Sequence, residues 1–403
     1  MTIATPEPDV TRAVLLERAA AMIPMLRARE ASTEELRTLP VETVEAFLDA
    51  GFYRILQPKR FGGYEQDLRT FCDVMINISR GCGSSGWVLC LTSAHVFHMA
   101  ACPEEGQVEM YGEDGDFRSP LILAPQGTAA PVEGGYRVTG RWNYGSGAEH
   151  SNWLTVSAIV PGENKSSPPA DVLLAFVHCD DYEIHDNWFA LGLRGTGSKQ
   201  AVLADVFVPN RRVISQPKWG QGSAPGFGVH ENPFYRTPHM GVFFAEIASI
   251  CIGLAESAMD VFGERAQTKV NPFPPFQTMA HDQAVQRRVG LARAKIDTAT
   301  AALAAIIDEQ ERVTRMAAEG TLDFQQQDTV RGSMRVQEVG ELCYAAIELL
   351  FRRSGTSAAQ TGEHLERIYR DISTARTHYL MDGERTAENW GALYFGLDEH
   401  SPD

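Results

Sequence analysis

Two histidines lie where the sequence could support proton chemistry. His378 follows the segment Tyr369-Arg370-Asp371 near the end of a predicted helix, and His95 lies eight residues after Trp87 in another. An imidazole that titrates near neutrality can act as a general acid or base. Because an α-helix has 3.6 residues per turn, that spacing places Trp87 and His95 on roughly one side, where both could face a cavity. The same pattern fits a buried Trp and a His bonded to a backbone carbonyl equally well.

Two segments combine glycines with hydroxyl side chains. Trp142-Asn143-Tyr144-Gly145-Ser146-Gly147 follows a predicted strand, and Gly192-Leu193-Arg194-Gly195-Thr196-Gly197-Ser198 precedes another. Glycines allow the backbone to approach a flat heterocycle, and hydroxyls can orient it. From the residues alone, the first segment is only a strand and a turn, and the second is more typical of an irregular turn.

Several common catalytic motifs are missing from the sequence. The segment Gly220-Gln221-Gly222-Ser223-Ala224-Pro225 ends in proline and does not link a strand to a helix, so it fails the dinucleotide-binding pattern. There is also no phosphate-binding GxxxxGK[ST], no HExxH and no GxSxG. His95 and His98 share a helical face without an obvious carboxylate beside them, so we expect no metal site.

The composition indicates a soluble protein with a large core. The chain has 403 residues, and 36 basic against 52 acidic residues give a formal charge of -16, which opposes binding to nucleic acid or anionic lipid. Its 7 cysteines form no CxxC pair, and we see no secretory signal. We therefore expect reduced thiols in a cytoplasmic protein. Apolar runs such as 242–254 are too short, or interrupted by Glu246, to cross a membrane.

The hydrophobic pattern divides the chain into three regions. Apolar residues recur at helical spacing over about residues 10–101, where Ser32-Thr33-Glu34-Glu35 fits a capping box. Short β-rich runs with a hairpin turn at Glu133-Gly134-Gly135 fill residues 119–209. Residues 216–238 form a Gly- and Pro-rich excursion, either a lid or a linker, and long helical patterns follow.

We therefore predict an α+β fold that is mostly α-helical. Its expected parts are an N-terminal α-helical domain at 1–117, a small antiparallel β domain at 118–215 and a C-terminal four-helix bundle domain at 216–403. The four long helical patterns run over residues 241–269, 279–319, 324–354 and 363–380.

In this order, the segments around Trp87, Ser146 and Thr196 resemble the oxygenase components of two-component flavin-dependent aromatic monooxygenases. These include 4-hydroxyphenylacetate 3-hydroxylase and secosteroid phenol hydroxylase, which share the acyl-CoA dehydrogenase fold. Acyl-CoA dehydrogenases generally use a carboxylate base, commonly after the Arg-Asp of the last long helix. This chain has His378-Tyr379 there instead, with Asp382 and Glu384 as the nearby carboxylates.

The resemblance implies a reaction. Reduced flavin, either FMNH2 or FADH2, would arrive from a separate NAD(P)H:flavin reductase and react with O2 to give a C4a-hydroperoxide that hydroxylates a phenolic substrate. His378 would deprotonate or hydrogen-bond the phenol, and His95 and Ser146 would hold the hydroperoxide. Apolar walls that include Trp87 would exclude water.

The resemblance also implies which residues bind flavin. In the segments around Trp87, Ser146 and Thr196, the expected flavin-binding residues are Trp87, Asn143, Tyr144, Ser146, Gly147, Thr196 and Ser198. Lys269 corresponds to a position where many dehydrogenases have an Arg for the flavin phosphate, and Gly355, Thr356 and Ser357 resemble a turn that reaches a neighbouring subunit's flavin. A shared site of this kind implies a homotetramer.

Three other functions remain open from the sequence. An N-hydroxylase of an amine or amino sugar would share the fold and the flavin chemistry without a phenol-activating base. An acyl-CoA dehydrogenase would bind CoA and hold oxidised flavin tightly. A catalytically silent flavin-binding protein is the third. The sequence leaves open the substrate, the position hydroxylated, the reductase, FMN against FAD, and oxygen transfer to carbon against nitrogen.

Overall fold

The computed structural model describes residues 1–164, 167–236, 240–321 and 326–397, so the end of the predicted bundle domain at 398–403 lies outside the described residues. Six helices precede the sheet: α1 (Arg12–Leu36), α2 (Val41–Asp49), α3 (Leu68–Gly81), α4 (Gly83–Ser93), α5 (Val96–Met99) and α6 (Glu104–Tyr111). The strands are β1 (Leu121–Val132), β2 (Gly135–Gly145), β3 (Trp153–Val160), β4 (Asp171–His178), β5 (Glu183–His185), β6 (Lys199–Pro209) and β7 (Val213–Ser215). The later helices are α7 (Gln216–Gly220), α8 (Gly241–Thr268), α9 (Gln283–Glu319), α10 (Gln326–Phe351), α11 (His364–Ala375) and α12 (Gly383–Tyr394). This order confirms the predicted α+β, mostly helical fold.

The predicted capping box at residues 32–35 is wrong, because α1 continues through it. The hydroxyls of Ser32 and Thr33 both donate to the carbonyl of Arg29, at 2.8 and 2.9 Å, instead of capping a new helix. Such bonds back to the preceding turn are the alternative that Ser and Thr have inside a helix. The helix ends at Leu36, and the Arg37 that follows it has a φ of 53°, in the left-handed region.

The strands form a single sheet in the order β5-β6-β2-β1-β3-β4-β7. The hairpin prediction is confirmed: β1 and β2 pair from Val132 and Gly135 outward, and Gly134 in the turn has a φ of 80°. The sheet is mixed, however, since β1 and β3 are parallel. The chain reverses once at the hairpin and again after β2, so β3 runs in the direction of β1 when it pairs with it.

The buried side chains form two hydrophobic clusters. One belongs to the sheet and includes Trp142, whose indole N–H donates to the Ser157 carbonyl at 2.7 Å. The other contains residues of helices that precede the sheet in the sequence and of helices that follow it, for example Phe71 of α3 and Phe244 of α8. Helices from the first and third regions therefore pack into one core, and the three domain ranges stay a prediction.

Helix α8 supplies a long run of buried apolar residues to this core. In the part of the chain that the structure describes, it is the one helix long and apolar enough to cross a membrane, with a mean hydropathy of 1.6 over 18 residues. Of that stretch, 89% is buried inside the protein. A helix surrounded by protein on this scale is accounted for as a core helix.

The segment after the sheet is packed against the first helices. The Tyr235 hydroxyl donates to the Leu56 carbonyl at 2.8 Å, and the Gly226 amide donates to the Ala101 carbonyl at 2.9 Å. Trp219 lies on His98, with ring centroids 5.0 Å apart. Of the two predicted interpretations, a cover over the N-terminal helices fits these contacts better than a free linker; Thr237 and Pro238 lie outside the described residues.

The last helices differ from the predicted boundaries. Helix α11 ends at Ala375, so His378 lies beyond it, where its side chain accepts from the Leu380 amide at the start of a short 3-10 turn. Lys269 is the residue that follows α8 rather than a residue inside it. Helix α12 was not predicted, because Gly383 and Gly391 weaken its helical pattern.

Candidate active site

A chain of buried hydrogen bonds joins the two Gly-rich segments. Trp87 of α4 donates its indole N–H to the Ser146 hydroxyl at 3.2 Å, and Ser146 lies 2.7 Å from the Ser198 hydroxyl. Ser198 in turn lies 2.6 Å from the Thr196 hydroxyl, which donates to the Leu193 carbonyl at 2.8 Å. The structure therefore brings four of the predicted residues into direct contact.

The chain of hydroxyls has a direction. A carbonyl can only accept, so the single hydroxyl proton of Thr196 is used on Leu193, and Ser198 must donate to Thr196. Ser146 must then donate to Ser198, while it accepts from Trp87. The Ser146 oxygen is left with one lone pair and no proton, so it presents an acceptor to any ligand beside it.

Gly147 fixes the turn that carries Ser146. Its φ is 74°, and its amide donates to the Thr196 carbonyl at 3.0 Å, which ties the two loops together. A Cβ at this position would lie 2.7 Å from Val88 Cγ1 and 2.9 Å from Thr92 Cγ2 in α4. Both the backbone conformation and the close approach of α4 therefore require glycine.

Helix α11 holds the other loop. The Asp371 carboxyl accepts from the Leu193 amide at 2.6 Å, and the Thr374 hydroxyl accepts from the Gly192 amide at 2.8 Å. A Cβ on Gly192 would lie 2.1 Å from the Arg370 carbonyl oxygen, so this contact also needs glycine. Burial raises the pKa of Asp371 to about 7. Sequence reasoning missed the role of Asp371, because its partner lies 178 residues away.

A cleft of ≈ 280 Å³ opens beside the hydroxyl chain. Its lining includes Asn143, Tyr144 and Ser198, together with Trp188 and Phe189 from the loop before Gly192. Asn143 accepts from the side-chain amides of Asn187 and Gln200, at 2.9 Å in each case. Tyr144 is 67% exposed. Exposed rings next to a buried acceptor fit a flat, partly polar heterocycle, and the predicted flavin residues of this segment lie here.

His378 lies beside Trp87, with the two rings edge to face and their centroids 5.8 Å apart. Its Nδ1 accepts a long bond from the Leu380 amide at 3.4 Å, which leaves the proton of the neutral ring on Nε2. Burial lowers the pKa of His378 to about 4. The expectation of titration near neutrality is therefore wrong for this conformation, and the ring offers a hydrogen-bond donor.

The two carboxylates near His378 are placed elsewhere. Asp382 caps α12, since its side chain accepts from the Arg385 amide at 3.3 Å. Glu384 lies in the first turn of α12 and is exposed. Neither residue is positioned as a buried base beside Trp87.

His95 does not lie in one helix with Trp87, as its spacing predicted, and its partners are different. Helix α4 ends at Ser93, and His95 precedes the separate helix α5, so Trp87 and His95 do not share a helix. Its Nδ1 donates to the Ser119 carbonyl at 3.2 Å, and its Nε2 lies 3.7 Å from a carboxyl oxygen of Glu246 in α8. His95 thus belongs to a second polar cluster, apart from the contacts that Ser146 makes.

Glu246 is a residue that sequence reasoning missed as part of the site. The available signal was a single acid in the apolar run 242–254. Glu246, His95 and His98 do not converge as metal ligands. Among the residues that the structure describes, the group whose ligand atoms lie within 4.8 Å of one another is His178, Cys179 and Asp180.

Lys269 and the residues around it form a further polar group. The Lys269 ammonium donates to the Ser354 carbonyl at 2.8 Å and to the Ser357 hydroxyl at 3.0 Å, and Arg265 also donates to Ser357. Gly355 has a φ of 76°, and the exposed Thr356 begins a short 3-10 turn. Two cations around one hydroxyl fit an anionic group such as a phosphate. Arg265 was missed by sequence reasoning.

Comparisons with known proteins cover nearly the whole chain. Residues 245–383 match the family described as acyl-CoA dehydrogenase, C-terminal domain. The oxygenase subunit HsaA of a flavin-dependent monooxygenase from Rhodococcus jostii (strain RHA1) is 32% identical over 385 residues, which is 95% of this chain and 98% of the relative. The oxygenase component of an FADH(2)-dependent resorcinol hydroxylase from Rhizobium sp. (strain MTP-10005) is 28% identical over 399 residues, with 98% and 97% covered.

A solved structure agrees with these sequence matches. XiaF from Streptomyces sp., in complex with FADH2 and glycerol, superimposes with a TM-score of 0.85 at 27% identity, and the match covers 97% of each chain. The agreement extends over all three regions of the chain. The chain belongs to the oxygenase subunits of flavin-dependent monooxygenases, which have the acyl-CoA dehydrogenase fold.

Proposed function

We propose that this protein hydroxylates a phenolic substrate with O2, using reduced flavin that a separate NAD(P)H:flavin reductase supplies. The relatives named as monooxygenase and resorcinol hydroxylase components support the reaction class. The observation that carries the proposal is the directed hydroxyl chain from Trp87 to Thr196. Its Ser198 lines an open cleft, and the Trp87 ring lies 5.8 Å from the His378 ring.

The residues of the cleft fit reduced flavin. Bound reduced flavin supplies the electrons that activate O2 for transfer to an aromatic carbon. Reduced flavin carries a proton on N5, whereas N5 of oxidised flavin can only accept. Ser146 presents a lone pair because its own proton is donated to Ser198. The site would therefore favour the reduced form, which Asn143 and Tyr144 would help to hold, and Lys269 and Arg265 would suit its phosphate.

His378 activates the substrate by donating a hydrogen bond. Its Nε2–H stabilises negative charge on the phenolic oxygen, which favours the phenolate and raises electron density at the ortho carbon. The neutral state of the ring at pH 7 follows from its lowered pKa. Trp87 contributes an apolar wall that excludes water from this position.

The same interpretation includes assembly and location. We expect a homotetramer in the cytoplasm that binds neither membranes nor nucleic acid. Phe273 and Phe276, which follow Lys269, are 76% and 62% exposed, and a subunit contact would cover them. That supports a flavin site completed by a neighbouring subunit, with Gly355, Thr356 and Ser357 at its edge.

The decisive experiment supplies the protein with chemically reduced flavin and O2 in the presence of 4-methylphenol, and detects products by mass spectrometry. We expect a product heavier by one oxygen atom, with ¹⁸O incorporated from ¹⁸O2. Oxidation of an acyl-CoA with no oxygen transfer to any phenol or amine would overturn the proposal. Oxygen transfer to an amine alone would replace it with the N-hydroxylase.

A further inference from the structure

The hydroxyl chain ends at the backbone of Leu193. This residue has a φ of 51° and a ψ of 33°, in the left-handed region, although it is not glycine, and its side chain is buried. A bulky side chain makes this conformation costly, so the contacts around the residue hold it there. Because φ and ψ together fix the directions of its N–H and C=O, whatever holds the Leu193 amide also aims the carbonyl that accepts from Thr196.

The two ends of Leu193 have different partners. Its carbonyl accepts from the Thr196 hydroxyl at 2.8 Å, and from the Trp188 indole N–H and the Thr196 amide at 3.1 Å each. Its amide donates to a carboxyl oxygen of Asp371 at 2.6 Å. Asp371 therefore holds the amide side of the same residue whose carbonyl side receives the hydroxyl chain.

Asp371 lies where α11 meets α1, the start of α4 and the Leu193 loop. Its Oδ2 atom faces α4, where a Cβ on Gly83 would lie 3.0 Å away. A cavity of ≈ 10 Å³ beside it is lined by polar and charged groups from all of these segments. They are Glu30, Glu34, Cys82, Ser84, Arg194 and Arg367, and Arg370 adds a further positive charge from α11.

The arginines and glutamates of this cluster pair with one another. Arg367 donates to Glu30 at 2.9 Å and to Glu34 at 2.7 Å, and Arg194 donates to Glu34 at 3.0 Å. His364, at the start of α11, is half-exposed and lies 2.7 Å from Glu30. These pairs connect α1, α11 and the loop, and they engage the arginines that line the cavity.

The charge of Asp371 changes near neutral pH. Burial raises its pKa to about 7, although the bond from the Leu193 amide lowers it. The carboxyl is therefore largely neutral at pH 6 and largely charged at pH 8. A carboxylate accepts a stronger hydrogen bond than a neutral carboxyl does, so the Leu193 amide is held more firmly above pH 7 than below it. The Cys82 thiol stays neutral over this range, because burial raises its pKa to about 12.

We propose that Asp371 is a positioning residue: its carboxylate holds Leu193 so that the hydroxyl chain keeps its direction and Ser146 stays an acceptor for reduced flavin. The inference rests on the proposed function in that the ligand is flavin. A released Leu193 can leave the left-handed region and turn its carbonyl away from Thr196. Thr196 can then donate to Ser198 and Ser198 to Ser146, which frees the Ser146 proton for oxidised flavin.

The test measures how the preference for reduced flavin depends on pH. Dissociation constants of oxidised FMN and FAD in air, and of the dithionite-reduced forms under argon, are determined at pH 6, 7 and 8 for the unaltered protein and Asp371→Asn. Asparagine keeps an accepting oxygen but cannot become charged. We expect the two proteins to agree at pH 6, and the preference of the unaltered protein to exceed that of the variant about two- to fivefold at pH 8. Ionisation of reduced flavin and of His364 is common to both proteins and cancels.

Two further variants locate the effect. Thr196→Val separates Ser198 from the backbone that Asp371 holds, so its preference should lose the same part of the pH dependence. Asp67→Asn is the matched control, because the Asp67 carboxyl also accepts from a backbone amide, that of Thr70 at 2.7 Å, but at the start of α3. It should match the unaltered protein at every pH.

Three outcomes would overturn the proposal. They are a preference in Asp371→Asn that equals that of the unaltered protein at pH 8, even where both affinities fall; a difference as large at pH 6 as at pH 8; and full pH dependence in Thr196→Val. The last needs no Asp371 variant, so a misfolded Asp371→Asn leaves the proposal open to refutation. Hydroxylation of 4-methylphenol is scored separately: the expected pH dependence without product removes the proposed function, and product without the pH dependence removes this inference.

Discussion

The direction of the hydroxyl chain makes a prediction about flavin redox state. In the unaltered protein Ser146 donates to Ser198 at 2.7 Å, so only a lone pair of Ser146 is left for flavin. That lone pair would accept from the N5 proton of reduced flavin, but it would face the N5 lone pair of oxidised flavin. Ser198→Ala frees the Ser146 proton, which can then turn to N5 of oxidised flavin. Exchanging an unsatisfied contact for a hydrogen bond is worth about 1 to 2 kcal/mol, so the preference for reduced flavin should fall about 5- to 30-fold.

A second variant changes the next residue of the same hydroxyl chain. Thr196→Val removes the acceptor of Ser198, which lies 2.6 Å away, and Ser198 can then donate to Ser146. It should shift the preference in the same direction. Thr155→Val is the control, since it removes a buried hydroxyl that bonds Ser119 at 2.8 Å in the same sheet without touching the chain.

The assay is equilibrium binding of FMN and FAD, oxidised in air and reduced with dithionite under argon, followed by flavin absorbance or fluorescence. The quantity compared is the ratio of the two dissociation constants, because it cancels general losses of affinity. A preference for reduced flavin that rises in both variants would show that the hydroxyl protons run the other way. An unchanged ratio, including equal weakening of both redox forms, would refute the prediction and show that Ser198 only shapes the cleft.

Four further predictions concern the rest of the site. His378→Ala should slow hydroxylation by about 100-fold or more, with the spent O2 recovered as H2O2; an unchanged ratio of product to H2O2 would refute the role. Asp371→Asn should become more stable than the unaltered protein as pH rises. A carboxyl whose folded pKa is raised from 3.8 to about 7 favours folding below pH 4, and this contribution, up to about 4 kcal/mol, is lost as pH passes 7. Denaturant unfolding at pH 5 and pH 8 measures the crossover. The pure protein should not oxidise NADH without a reductase. A steady decline in absorbance at 340 nm would contradict this prediction. Light scattering should give a tetramer, and a fully active monomer at high dilution would exclude a flavin site shared between subunits.

The sequence predicted the parts of this site that are local in the chain. Ser146 and Gly147 were singled out by the family resemblance, because their segment alone predicts only a strand and a turn. The hairpin at Gly134 was found from its own turn residues. Helical regions followed from periodic apolar residues. Helix ends were less accurate, as at α1, where Thr33 bonds back to Arg29 instead of starting a helix.

Contacts between distant residues could not be predicted in the same way. The Glu246 carboxyl meets His95 only after α8 packs beside α4, and nothing near Glu246 in the sequence specifies that neighbour. The tautomers of His95 and His378 depend on a carbonyl and an amide that folding places beside them. The pKa of His378 likewise follows from burial, which local sequence does not report.

One helix positions both the loop of the hydroxyl chain and His378. Asp371 and Thr374 of α11 hold the loop of Thr196 and Ser198, and the chain that leaves the same helix carries His378 to Trp87. A shift of α11 along its axis would therefore move His378 together with the loop of Thr196 and Ser198. We expect a substitution in α11 that repositions one of them to displace the other as well.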